Sequence, residues 1–356
     1  MLAGRPVIDA LRSYVLDRYA GWALGDPRPA ALSFICRFST AQPATGKVVY
    51  YVFRRGARQP FLIAKTVRSA ALGDTIRREA QNACAVWQRA SAAMPGALPR
   101  PLALAEIDGL PVYFETAVPG LALPELARRA WTGRGRQALL RKATSEGFAW
   151  LARFTRVMPH EQVLLDEQQI EAWFVALIRR FMPQVAGWPN GLAHLAALER
   201  TVQEWVGSPV PLVAAHGDFW GGSLLWGERA LRVIDWERFR AAALPATDAF
   251  MLAVHPGFYP RARYGGGLLD EFVSTLANPE GNAAVYEHLI TYFDQWQIPR
   301  HWYLPLLRLF LIECSLERDG QAAEGAPTSW ADLLRYSFAA CEQAPCSRNA
   351  RERPSR

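Results

Sequence analysis

The pattern of apolar and polar positions changes character partway along the chain. Pro6–Tyr19 carries Val7, Leu11, Val15 and Leu16 at helical spacing. Asp26-Pro27-Arg28-Pro29 then breaks the chain. Leu32–Phe38, Val48–Phe53 and Phe61–Val67 are short runs rich in β-branched and aromatic residues, which suit strands. Ser39–Gly46, small and polar, predicts a turn between the first two. Asp74–Ala90, with Ile76, Ala80, Ala83, Cys84 and Trp87 along one side, predicts a long amphipathic helix. Leu102–Glu106 and Leu110–Glu115, split by Asp108-Gly109, predict a further hairpin.

Glu115–Gly120 ends on Pro and Gly and suits a crossing between lobes. Beyond it the spacing turns helical, over Leu123–Trp131, Gln137–Val157, Gln168–Phe181 and Leu192–Val206. It is helical again over Asp248–Val254, Gly267–Leu276, Ala283–Trp296, Tyr303–Glu317 and Trp330–Glu342. Between these blocks lies Val213–Glu237, where Pro211–Ala215 reads as a buried strand and Leu224–Trp226 and Leu231–Trp236 as a hairpin about Gly227–Ala230. Strands first, then helices around one embedded hairpin, give an α+β fold. The chain divides into a β-rich N-terminal lobe with one long helix (1–114), a linker (115–120), a helical C-terminal lobe (121–346) and a basic tail (347–356).

Four charged residues interrupt apolar stretches. Asp218 ends the strand at His216-Gly217-Asp218, and Asp235 shares a face with Leu231 and Val233 by the two-residue period. Each aspartate alone suits a turn or a strand end. Two brought together across a hairpin repel, and a divalent cation that takes oxygen ligands, such as Mg²⁺, relieves the repulsion. Lys65 stands inside the apolar run FLIAKTV, and Glu79 at the edge of the next helix's apolar stripe. Alone, the lysine can snorkel to solvent; paired with Glu79, it becomes a fixed point charge for a phosphate.

Composition narrows the class. The chain has 356 residues and a net charge of +7. It has three lysines, at 47, 65 and 142, against 37 arginines. No apolar run is long enough for a membrane span. The N-terminal stretch lacks a basic region followed by an apolar one, and five scattered cysteines without a CxxC suit a reducing compartment, so a cytoplasmic location is expected. No basic stripe with interleaved aromatics marks a nucleic-acid partner. Met251–Cys346 carries eleven acidic residues against six arginines, compatible with a cationic small-molecule ligand. Phe258, Tyr259, Tyr264, Trp296, Trp302 and Tyr303 suit a sugar face or plain core. Asp248, after Pro245-Ala246-Thr247, suits a helix cap.

Lys65, Glu79, Glu115–Gly120, His216–Ser223 and Ile234–Glu237, in this order, resemble the aminoglycoside phosphotransferase/choline kinase family of small-molecule kinases. HGD followed by IDWE carries most of the likeness, which spans roughly residues 30–340. The resemblance implies a protein-kinase-like two-lobe fold and transfer of the γ-phosphoryl group of ATP, or GTP, to a hydroxylated small-molecule acceptor. Asp218 then handles the acceptor proton, Asp235 binds Mg²⁺, and Lys65 held by Glu79 meets the α- and β-phosphates. Glu115 and Ala117 offer backbone groups to adenine, and His216 organises the loop. Five residues after Asp218, where the family has a metal-binding Asn, this chain has Ser223, a shorter ligand. That departure keeps a second reading open, a kinase-like scaffold that binds nucleotide without turnover.

Overall fold

The computed structural model describes residues 4–25, 31–38, 46–129, 133–227, 230–258, 283–318 and 330–343. The Asp26–Pro29 break, nearly all of the Ser39–Gly46 turn, the Gly267–Leu276 helix and the basic tail lie outside them. The chain separates into two compact units, Met1–Gln162 with Pro211–Pro260, and Val163–Val210 with Arg261–Arg356.

The first unit is built on a five-stranded antiparallel sheet in the order β1-β2-β3-β5-β4. Its strands are β1 (Leu32–Phe38), β2 (Lys47–Arg54), β3 (Leu62–Val67), β4 (Pro101–Ile107) and β5 (Leu110–Thr116). Register decides which residues share a face. Val49 pairs with Lys65 and Lys47 with Val67 across β2 and β3. Lys65 pairs with Tyr113, and Ile63 with Glu115, across β3 and β5. Directly opposed residues point to the same side and alternate residues return to it. One face therefore collects Lys47, Val49, Lys65, Tyr113 and Glu115. The other collects Val48, Tyr50, Val52, Leu62, Ala64, Val112 and Phe114, which form one core with Leu11 and Val15 of α1 (Gly4–Arg18).

The charged face is covered by α2 (Gly73–Ala90), which buries Ile76, Glu79, Ala80, Ala83 and Val86. Glu79 thus sits within the buried stripe, at 0% exposure, rather than at its edge. Val86 completes that stripe and Cys84 faces solvent. β6 (Leu121–Ala122), α3 (Leu123–Arg129) and α4 (Gly133–Val157) follow, then β7 (His160–Leu164). β8 (Pro209–Ala215) pairs antiparallel with β11 (Arg240–Ala243). β9 (Leu224–Trp226) and β10 (Leu231–Val233) form the embedded hairpin, to which β6 adds a third strand. Pattern reading did not anticipate β6, β7 and β11, whose two to five residues hold too few positions to show a period.

The second unit is mostly helical among its described residues, with Glu167–Ile170 continuing through a π turn at Glu171–Val175 into Ala176–Phe181. Gly191–Gln203, Ala283–Gln295, Tyr303–Arg318 and Trp330–Gln343 complete it. Trp205 stacks on Trp302 at 4.2 Å and meets Phe174 edge-on at 5.3 Å. Trp296, Trp302 and Tyr303 are buried, which makes them core. The side chain of Phe258, and Tyr259 and Tyr264 entirely, lie outside the described residues. Among the described residues no helix is long and apolar enough to cross a membrane.

Candidate active site

Two chains of contacts within the first unit build the site. The first runs across the charged face of the sheet. Lys65 Nζ lies 2.5 Å from Glu79 Oε1, 2.8 Å from Glu115 Oε1 and 2.9 Å from Asp235 Oδ1. The lysine is 3% exposed, so its charge is stable only because carboxylates surround it. Burial works against the ammonium, and Asp235, Glu115 and Glu79 outweigh it, holding the lysine protonated. Burial likewise opposes ionisation of Asp235, but Lys65 and Lys47 override it and keep the carboxylate below its ordinary range. Glu79 is lowered for the same reason, burial being outweighed by Lys47 and Lys65. Glu115 goes the other way: burial dominates and raises it, Lys65 offsetting only part, while Tyr113 OH donates to its Oε2 at 3.0 Å.

The second chain of contacts fixes the His216-Gly217-Asp218 loop after β8. Asp248, in the first turn of the helix Ala246–Phe258, accepts from His216 N at 2.6 Å and Gly217 N at 2.9 Å. The His216 ring spans the site. Asp218 N donates to Nδ1 at 3.2 Å, which leaves Nε2 to carry the proton and donate to Ile234 O at 2.9 Å. Asp218 thereby connects through one imidazole to the backbone next to Asp235. Its Oδ2 accepts from Trp220 Nε1 at 3.1 Å. Ser223 is buried, and its carbonyl accepts from Ile234 N at 3.0 Å, tying the end of the loop to the same residue that the imidazole reaches. Beneath, Phe219 stacks on Trp150 and Trp236 packs edge-on to His216 at 4.6 Å, so both motifs rest on one aromatic floor.

Asp235 is not a strand residue. β10 stops at Val233, and Asp235 takes the left-handed conformation, φ 66°, before a short 3₁₀ turn, Trp236–Arg238. Its side chain therefore leaves the alternation that would align it with Leu231 and Val233. Aspartate is one of the few residues that adopt this conformation at low cost.

Gly217 shows how closely the two motifs approach. Its φ is +78°, and a Cβ there would lie 2.3 Å from Arg238 O. Backbone, not a flexible side chain, stands in the way. Gly217→Ala is expected to cost about 2–3 kcal/mol from left-handed strain and forced separation of the loop from the turn. Urea denaturation measures it; a loss under 0.5 kcal/mol would contradict the tight approach.

The structure therefore brings Lys65, Glu79, Glu115 and Asp235 into direct contact, and links Asp218 and Ser223 to them through the backbone of Ile234. Glu115 enters by its side chain as a third carboxylate on Lys65. The Ala117 N–H already donates to Phe61 O at 3.1 Å, at the end of the sheet. Reading from sequence missed two residues. Lys47 Nζ lies 2.8 Å from Glu79 Oε2, 3.0 Å from Glu237 Oε2 and 3.5 Å from Asp235 Oδ1. The available signal was the scarcity of lysine. Asp248, expected as a cap, instead holds the loop; its signal was a carboxylate in the otherwise apolar stretch Ala246–Val254.

The donor set suits magnesium in one respect. Asp235 offers a hard oxygen on a side chain about one-third exposed, and the lysines approach it at Oδ1. Among the described residues no three His, Cys, Asp or Glu side chains form a metal cage. Mg²⁺ commonly rests on one or two carboxylates together with substrate phosphates, so Asp235 fits that use.

A family model for the phosphotransferase enzyme family matches residues 41–280. No curated protein matches the chain. Among solved structures, a glucosamine kinase in complex with glucosamine, ADP and inorganic phosphate superposes with a TM-score of 0.53 at 17% identity, covering 92% of this chain and 83% of that one. A putative fructosamine-3-kinase from Thermobifida fusca YX-ER1 gives 0.51 at 16% identity, covering 93% and 99%. These likenesses show a shared fold, that of the protein-kinase-like small-molecule kinases.

Proposed function

We propose, for a chain that belongs to the phosphotransferase enzyme family, that it moves the γ-phosphoryl group of ATP onto a hydroxyl of a small-molecule acceptor. The observation that carries this reading is the contact of Lys65 with Asp235, with Glu79 holding the lysine from behind. A buried ammonium and an ionised carboxylate fixed side by side make a mount for a metal–triphosphate.

Each residue then has a role. Lys65 is a point charge for the α- and β-phosphates, and Glu79 positions it. Asp235 would hold Mg²⁺, which would supply neutralisation of the charge that develops on the phosphates. Ser223, buried at the loop's end, is proposed as its second ligand. Asp218 accepts the acceptor's hydroxyl proton as the new O–P bond forms and the bond to the β-phosphate oxygen breaks. His216, which contacts Ile234 O through Nε2, orients the loop rather than acting as the base. Glu115 steadies Lys65, and the backbone at 115–117 lies at the strand end proposed to meet the base. The 1–114 and 121–346 lobes, joined by the 115–120 linker, remain the proposed domain division. The acidic excess of 251–346 favours a cationic acceptor such as an amino sugar or amino alcohol.

The test is ADP release with ATP and Mg²⁺ across amino sugars, aminoglycosides, ketosamines and amino alcohols. Turnover above water hydrolysis is expected with one class. ATP that raises the melting temperature while no acceptor is consumed would leave a nucleotide-binding scaffold instead.

A further inference from the structure

Lys47 is not accounted for by the roles above. It opens β2 on the same face as Lys65, two residues from the Val49 that pairs with Lys65. Two like charges at diagonal positions on one sheet face repel unless anions separate them. Here Glu79 divides its oxygens between them, Oε1 to Lys65 and Oε2 to Lys47. Lys47 also takes Asp235 Oδ1 and Glu237 Oε2, and its side chain is 13% exposed. Glu79 Oε2 is fully buried, and the cation beside it is Lys47 Nζ, 2.8 Å away. Two of the three lysines in a chain otherwise reliant on arginine stand in this cluster. A compact ammonium fits where three carboxylates converge on one point; a planar guanidinium does not.

We propose that Lys47 is a resident cation, its ammonium standing between Glu79, Asp235 and Glu237 at the position that would otherwise draw in a divalent ion, so that the site takes one metal rather than two. Lys47 is a positioning residue: it keeps Asp235 and Glu237 together before nucleotide arrives. With Nζ at the point of convergence, the carboxylates stand 2.8–3.5 Å from it, ammonium rather than metal distances. Ser223 agrees with this account, since a buried hydroxyl gives a further metal little to hold. The proposal depends on the phosphotransferase reading for its setting but not for its test.

That test is Mn²⁺ binding followed by electron paramagnetic resonance, first without nucleotide. Wild type is expected to bind no Mn²⁺ tighter than millimolar. Lys47→Met is expected to bind one ion at least tenfold tighter, and Lys47→Met/Glu237→Gln to lose it again. A Lys47→Met protein that is folded by near-ultraviolet circular dichroism and gains no ion overturns the proposal, as does a wild type that already binds one here. A second arm needs no variant: wild type saturated with ATP should hold one Mn²⁺ per nucleotide, and two would overturn the proposal. Because the first arm uses no nucleotide, failure of the phosphotransferase reading, seen as absence of nucleotide binding, is told apart from failure of this one.

Discussion

Asp218→Asn is expected to lower kcat about 10³-fold while leaving nucleotide affinity and folding nearly unchanged. A positioned general base contributes roughly 10²–10⁴ in rate. The asparagine keeps the shape and an acceptor oxygen for Trp220 Nε1, so the contact at 3.1 Å survives. It removes only the capacity to receive the acceptor's proton. The loop is held through other atoms, Asp248 on the backbone of His216 and Gly217 and the imidazole on Ile234. Steady-state kinetics with the acceptor found by screening, beside nucleotide titration by calorimetry, separates the two effects. A variant that keeps more than a tenth of wild-type kcat would remove Asp218 from the chemistry. One that loses nucleotide binding as well would place it in the scaffold.

Lys65→Met is expected to do the reverse, abolishing nucleotide binding and destabilising the fold together. Removing one member of a buried ion cluster leaves its partners uncompensated, at a cost of about 3–5 kcal/mol. Here Glu79 and Glu115, 0% and 2% exposed, lose their nearest cation. At about 2–4 °C per kcal/mol for a unit of this size, the melting temperature should fall by about 10 °C. Glu115 identifies the cause. Its carboxyl is already raised, by burial first, so neutralising it in the same background costs little and removes one stranded charge. Lys65→Met/Glu115→Gln should therefore recover part of the lost stability without restoring nucleotide binding. Scanning fluorimetry with and without ATP reads both. No recovery in the double variant would mean that Glu115 is neutral in the folded wild type.

The parts legible in the sequence were those set by local periodicity and local chemistry. The β-branched and aromatic runs Val48–Phe53 and Phe61–Val67 marked strands because such side chains pack well on a pleated surface. The 3.6-residue spacing of Asp74–Ala90 marked α2 because one side of it is buried. HGD and IDWE stood out because aspartates at strand ends oppose the pattern around them, and Lys65 because an ammonium in an apolar run needs a partner. What could not be read was what lies opposite what. Lys47 lies 32 residues from Glu79 and 190 from Glu237 in the chain, and only the β2–β3 register and the packing of α2 bring them together. Asp248 looked like a cap because its targets are 31 and 32 residues away. Asp235 looked like a strand residue because its left-handed backbone is imposed by the turn that follows and has no period of its own. Local sequence sets which segments form and which side chains are out of place; long-range pairing decides which charges meet, because a buried charge finds its counterion only where tertiary contacts put one.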